Sequence, residues 1–237
     1  MSIATPDTRH PGHPDLDGRA GALRSQIVER LIGEIVSRRI QPGEKLAISK
    51  LADQFGVSAT PVREALIELS ETGVVEWQTN RGALCRPFGP RQIRELYDLR
   101  RLLETEALRR SYDHLGYEEL VDLRHRTQQM ASRGAAQDFG QAYDADRGLH
   151  RLLANRCQNE RLAHELHRYD GLMAAMCRSV HNADDSLTIG LTEHVEIIDS
   201  LLAGDPERAR LQLGHHIVAT GHRIAGILFP QRRLNAP

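Results

Sequence analysis

The run from Leu51 to Leu66, LADQFGVSATPVREAL, constrains this chain more than any other stretch. Leu51, Ala52 and Phe55 set an apolar stripe at helical spacing, Gly56 supplies the permissive backbone that ends the helix, and Ser58 or Thr60 is placed to cap a second one. Pro61 falls in the first turn of that second helix, where its missing N–H costs little. Val62, Leu66 and Leu69 then face inward, while Arg63 and the polar residues before it project from the helix's N-terminal half. Two short helices joined by a tight turn form a helix-turn-helix, whose second helix enters a DNA major groove by its N-terminal half. Duplex DNA is the expected partner.

The flanks complete the pattern. Leu23, Ile27, Leu31 and Ile35 repeat at four-residue spacing and predict a first helix ending before Pro42-Gly43. Val74–Gln78 and Ala83–Arg86 read as two short strands around Thr79-Asn80-Arg81-Gly82. Arg81 beside Gly82 puts a cation where the backbone can approach phosphates or a minor groove. Helix, helix, helix, hairpin is a winged helix.

The combination of IQPGEKL at 40–46, Leu51-Ala52, GVSATPVREAL at 56–66 and Gly73-Val74-Val75 resembles the DNA-binding domain of GntR-family transcription regulators over about residues 23–86. One departure is Ala59, where the family often has Arg directly after the capping Ser. That implies a missing base or phosphate contact and an altered operator sequence, with the binding mode kept.

A chain of 237 residues, 40% hydrophobic, is long enough for this small domain plus a second core. No apolar run reaches the length of a membrane span and no signal-peptide core opens the chain, so a soluble cytoplasmic protein without a membrane partner is expected. Cys85, Cys157 and Cys177 lie far apart without C-x-x-C spacing, which points to buried or inert thiols. A formal net charge of -1 means that DNA attraction must come from local clusters of Arg and Lys. Residues 1–18, rich in Pro and Gly, read as a flexible tail in which His10 and His13 are solvated. The expected division is then a DNA-binding domain at 19–86, a linker at 87–90 (Pro-Phe-Gly-Pro) and a helical domain at 91–230.

From Arg91 onward only helical periodicity appears. Breaks near Leu115-Gly116, Gly134, Gln158, residues 182–185 and Gly204-Asp205-Pro206 predict about six helices in a bundle. The fold class is therefore mainly α, with the small hairpin wing as its β content. On the helix from Phe139 to Arg156, Asp146 and His150 share a side with Tyr143, Leu149 and Leu153. His194 lies among Leu191, Ile198 and Leu201, and His216 among Leu213, Ile217 and Thr220. One carboxylate and three imidazoles on core-facing stripes make a site for a divalent transition metal with coordination positions left open. An Asp–His pair four residues apart is, taken alone, more often a surface or capping pair than a metal site.

A second resemblance covers about residues 91–228. DRGLH at 146–150, Asn159-Glu160-Arg161-Leu162, Glu193-His194 and His215-His216-Ile217 resemble the FCD effector domain of the FadR branch of GntR regulators. The resemblance implies that Asp146, His150, His194 and His216 are metal ligands, for zinc, nickel or manganese. It also implies that Arg100, in the opening helix ELYDLRRLLE at 95–104, reaches an effector pocket. Arg100 could equally form an ion pair with Glu104 four residues on, but beside a metal a bidentate cation favours a carboxylate. His215 is expected to point away to solvent. A count of six helices is closer to the VanR-like subset than to the seven-helix one. Leu149 and Gln158 replace a usual aromatic and a usual Gly.

The resulting expectation is a homodimeric, ligand-responsive transcription regulator. Ser58, Thr60, Arg63, Arg81 and Gly82 would meet an operator of two-fold symmetry. A small organic acid on the metal and Arg100 would shift the opening helix of the second domain against the linker. The alternatives are a regulator sensing the metal itself, or a metal-dependent hydrolase or lyase with an accessory domain. The enzyme reading lacks an H-E-x-x-H, a nucleophile elbow, a phosphate loop or a general base beside the ligands.

Overall fold

A computed structural model of the chain describes residues 14–134, 138–180 and 185–230. His10, His13 and His181 lie outside the described residues, as does most of the break expected at 182–185.

The first domain holds α1 (Pro14–Val36), α2 (Ile48–Phe55), α3 (Ala59–Glu71), β1 (Val75–Gln78) and β2 (Gly82–Cys85). Helix α1 begins inside the stretch expected as tail, at Pro14, a residue well placed at a helix's first position because its missing N–H would be unpaired there anyway. Gly56, at φ 67, ends α2 in the left-handed conformation, and the N–H of Val57 closes back on the carbonyl of Ala52 at 3.0 Å. Ser58 does occupy the cap position of α3, with extended backbone, but its hydroxyl makes no capping bond, and neither does that of Thr60. Val62, Ala65, Leu66 and Leu69 are fully buried, so α3 is held by its inner stripe and not by its cap. The wing is antiparallel, Val75 opposite Cys85 and Gln78 opposite Gly82, and its tip uses Asn80 at φ 65 and Gly82 at φ 80. A bridge from Lys45 to Leu84 gives it a third edge.

The second domain runs α4 (Pro90–Ser111), a 3-10 turn at Tyr112–His114, α5 (Tyr117–Arg133), α6 (Phe139–Arg156), α7 (Glu160–Arg168), α8 (Asp170–Val180), α9 (Ser186–Leu202) and α10 (Pro206–Leu228). Among the described residues these are seven α-helices where about six were expected, so the count that pointed to the six-helix subset does not hold. The missed break lies at Tyr169, between α7 and α8, and its one mark in the sequence is Asp170-Gly171, which opens α8. Helices α4 and α10 pack along each other, α9 lies against α5, α6 and α10, and α6 against α4 and α5. Gly221 permits the α4–α10 approach: a β-carbon there would stand 2.6 Å from Cγ of Tyr97.

The two domains share one apolar core. Residues 87–90 are not a free hinge: α4 already starts at Pro90, and Phe88 is buried with its ring 6.5 Å from that of Phe229. The principal junction is α1 against α8, braced by an ion pair of 2.9 Å between Glu29 and Arg178. No helix among the described residues is long and apolar enough to cross a membrane.

Candidate nucleic-acid interface and metal centre

The outward face of α3 carries Ser58, Thr60 and Arg63, all exposed. Arg63 has no ion pair among the described residues, which leaves its five donors for an external acceptor. The uncapped start of α3 adds first-turn N–H groups of the kind that receive a phosphate. At the wing, Arg81 is exposed and donates to Oε1 of Gln78 at 3.1 Å, across a turn whose Gly82 is half-buried.

Asp146 and His150 come from α6, His194 from α9 and His216 from α10, and one potential ligand atom of each lies within 4.8 Å of all the others. Burial on α9 and α10 forces the approach. Leu191, Ile197 and Ile198 are fully buried around His194, and Leu213 and Ile217 flank His216, so both imidazoles are carried into the bundle with them. The ring centroids of His194 and His216 are 4.3 Å apart, and His150 stands 4.8 Å from the first and 5.6 Å from the second.

Two carboxylates set the tautomers. Nδ1 of His150 bonds to Oε2 of Glu104, and Nδ1 of His216 bonds to Oε2 of Glu193 at 2.6 Å. Burial alone would raise the pKa of Glu104, but Arg100 and His150 outweigh it and hold the acid at about 2; Glu193 is held at about 2 against its own burial by His216 and Arg223. Both acids are therefore acceptors only, each Nδ1 carries the proton, and the Nε2 lone pairs of His150 and His216 are left for a ligand role. Burial, then neighbouring imidazoles, pushes His194 well below the usual histidine value, and burial lowers His216 against the opposing pull of Glu193. Neutral imidazoles are the state that ligation requires.

The donor set fits a cation. Nε2 of His194 is 2.9 Å from Nε2 of His216, close to the edge of about 3 Å that two nitrogens span when each lies about 2.1 Å from one octahedral ion. Nδ1 of His194 is buried with no hydrogen-bond partner and faces Oδ1 of Asp146 at 3.7 Å. A neutral imidazole has one lone pair, so His194 offers one ring nitrogen to an ion, and its Nδ1 is left buried without a hydrogen bond beside the Asp146 carboxylate. His215 is exposed, as expected.

Beside this cluster lies a cavity of about 50 Å³, whose wall includes Arg100, Asp146, His150 and His216. Arg100 reaches it and also forms the ion pair that its spacing allows, its Nε donating to Oε1 of Glu104 at 2.8 Å. Its Nη1 meets Sδ of Met173 at 3.2 Å. The sequence reading missed Glu193 and Arg147 as site residues, and it saw Glu104 only as a partner of Arg100. A carboxylate one residue before His194 was a usable signal for Glu193; Arg147, in the middle of DRGLH, had none until α7 and α8 were folded against it. Cys85 and Cys157 are buried, Cys177 is half-buried on the cavity wall, and burial pushes the thiol of Cys85 up to about 11 and that of Cys177 up to about 12.

Comparison with known proteins agrees with both halves. Residues 95–219 match the FCD domain, and residues 23–84 match the gntR family of bacterial regulatory proteins. The chain is 32% identical over 209 residues to an uncharacterized HTH-type transcriptional regulator, BphR, of Paraburkholderia xenovorans, spanning 83% of this chain and 82% of that one. It is 28% identical over 211 residues to a probable D-xylose utilization operon transcriptional repressor of Paenarthrobacter nicotinovorans, spanning 86% and 92%. A solved structure of a putative GntR transcriptional regulator from Rhodococcus sp. RHA1 overlays with a TM-score of 0.56 at 26% identity, covering 90% of this chain and 99% of that one. These domains and relatives are transcription regulators, not enzymes, and the hydrolase or lyase alternative falls with that.

Proposed function

The chain belongs to the GntR family of bacterial regulatory proteins and carries an FCD domain, and from that premise we propose how this DNA-binding transcription regulator is controlled. A divalent transition metal is held by Asp146, His150, His194 and His216, and a small carboxylate bound at the metal and Arg100 sets operator affinity. Zinc, nickel and manganese all suit a donor set of three imidazoles and a carboxylate. Bound there, the ion supplies an anchor for a ligand oxygen. The protein's own part is to orient His150 and His216 through Glu104 and Glu193, to keep His194 and His216 neutral by burial, and to offer Arg100 as a cation. The convergence of the four donors beside a cavity walled by Arg100 is the observation that carries this reading.

Helix α8 supports a route to the DNA. Met173 and Cys177 stand on the cavity wall, while Gly171, Ala174 and Arg178 look toward the winged helix. Cavity occupancy and the seat of α1 thus bear on opposite faces of one short helix. A ligand acts only by the difference in its affinity for the two arrangements.

The operator is read by Ser58, Thr60, Arg63, Arg81 and Gly82 from each subunit of a homodimer, on a site of two-fold symmetry and in the cytoplasm, where the bacterial chromosome lies. Exposed Leu99 and Leu102 on α4 and Leu211 on α10 give a second copy apolar surface to cover.

Metal analysis of purified protein tests the site: one divalent ion per chain is expected, lost in His150→Ala and His216→Ala and kept in His215→Ala. Full occupancy in both ligand variants would overturn the assignment. The small cavity also favours a second reading, in which the metal itself is the signal. Operator binding titrated with metal alone, and then with carboxylates at constant metal, separates the two.

A further inference from the structure

The cavity beside the metal cluster has a second guanidinium that the effector reading does not use. Arg147, on α6, lines the same space as Arg100. Its stem is held in place: the guanidinium carbon lies 5.4 Å from the centre of the Tyr143 ring, and Nη2 pairs with Oδ2 of Asp170 at the start of α8. Its Nε is buried and has no hydrogen-bond partner among the described residues. A buried guanidinium N–H without an acceptor is an expensive arrangement unless a ligand completes it.

The charges of the wall point the same way. Arg100, Arg147 and Arg151 are matched there by Glu104, Asp146 and Asp170. Without a metal, the cavity is close to balanced. A divalent ion on the four donors leaves two positive charges uncompensated in a largely buried space, which favours an occupant bringing two negative ones. A space of about 50 Å³ holds the volume of about three or four waters, so that occupant is compact.

Resting on the carboxylate reading above, the geometry points to Arg147 as a second anion-recognition group that makes this regulator selective for small dicarboxylates over monocarboxylates. One carboxylate of the effector meets the metal and Arg100. The other meets Arg147, in competition with Asp170. Arg151 is half in solvent at the rim and contributes attraction more than selection.

Succinate and butyrate have the same number of carbons and differ in charge, so calorimetric titration of each into metal-loaded, full-length dimer above pH 7 tests the assignment. Wild type should bind succinate at least tenfold tighter than butyrate. Arg147→Gln should erase that preference by weakening succinate alone, and Arg147→Lys should restore part of it. Asp170→Asn decides between recognition and mere support. If Arg147 recognises the ligand, removing its internal competitor tightens succinate binding, whereas if the Arg147–Asp170 pair only holds the fold together, Asp170→Asn weakens it as Arg147→Gln does. Equal affinity for the two acids in wild type, or equal loss of both in Arg147→Gln, overturns the selectivity and leaves the carboxylate reading standing. Failure of the wild type to bind either acid, with metal content verified, overturns both.

Discussion

Glu68 of α3 lies directly on Gly171 in the first turn of α8: a β-carbon on Gly171 would overlap Oε1 of Glu68 and stand 2.9 Å from its Cδ. The carboxylate sits at the positive end of α8 and pairs with Arg24 of α1 at 3.1 Å. The residue preceding Gly171 is Asp170, which holds Arg147 of the cavity wall. One peptide unit therefore separates a contact to α3 from a contact to the cavity wall.

Gly171→Ala should break that contact at little cost in stability. Alanine suits a helix better than glycine by about 1 kcal/mol, and the atom it displaces is the free end of a flexible side chain. Thermal stability should stay within about 1 kcal/mol of wild type, while the fold-change in operator affinity produced by the effector shrinks. In a double-mutant cycle, adding Glu68→Ala should change the response no further. An unchanged response in the single variant would remove this contact from the coupling route.

Gln158 offers a second test, on stability alone. It follows the C-terminus of α6 at φ 52, a left-handed conformation that costs a side-chain-bearing residue roughly 1 kcal/mol or more. Gln158→Gly should raise unfolding stability by about 0.5–1 kcal/mol after glycine's own entropy is counted, with metal content unchanged. Chemical denaturation with an unaltered m-value reads it directly.

Gln158 also shows how the sequence carried the structure. The chain break there was legible as an interruption of helical periodicity, and the structure adds that Asn159 caps the next helix, its Oδ1 accepting from the N–H of Leu162 at 3.1 Å; the strain was visible only as a departure from a glycine usual in the family. The winged helix was legible almost residue by residue, since Gly56, Pro61, Asn80 and Gly82 are backbone constraints written in residue type. The four donors were legible for another reason: polar residues on otherwise apolar helical stripes conflict with burial unless something repays them. The α7–α8 break was marked only by Asp170-Gly171, a turn dipeptide that here opens a helix. The role of Arg147 was not legible, because which acid faces it depends on tertiary packing between α6 and α8. The cap on α3 was over-read, because Ser58 has the right backbone without the hydrogen bond.

Acid should destabilise the metal-free protein in two stages. His194 and His216 have folded-state pKa values lowered by burial, so the unfolded chain binds more protons than the folded one below the ordinary histidine value of about 6.5. Their contribution is complete above that pH and is lost as the pH falls through the lowered folded values. Glu104 and Glu193, held at about 2, add a second loss beginning below the ordinary glutamate value of 4.5. Melting temperature measured in chelator should therefore decline from pH 7 to 5 and decline again below 4.5. Bound metal should shift the first decline to lower pH, since ligation competes with protonation. A metal-free melting temperature that is flat or rises from pH 7 to 5 contradicts the assigned burial of the two imidazoles.

Arg63 and Arg81 should differ in what they contribute to DNA binding. Arg63 stands on the exposed half of α3 near its start, the part that faces base edges in this motif, so Arg63→Ala should weaken operator binding by about 1–3 kcal/mol and flatten sequence preference. Arg81 is at the wing tip, where a cation meets phosphate or the minor groove, so Arg81→Ala should weaken operator and unrelated DNA alike and reduce the salt dependence by about one counterion. Because the chain's net charge is only -1, little long-range attraction masks the loss of either residue. Fluorescence anisotropy on operator and scrambled duplexes at two salt concentrations separates the two effects. Both variants binding the operator at wild-type affinity would show that the duplex meets another face of the domain.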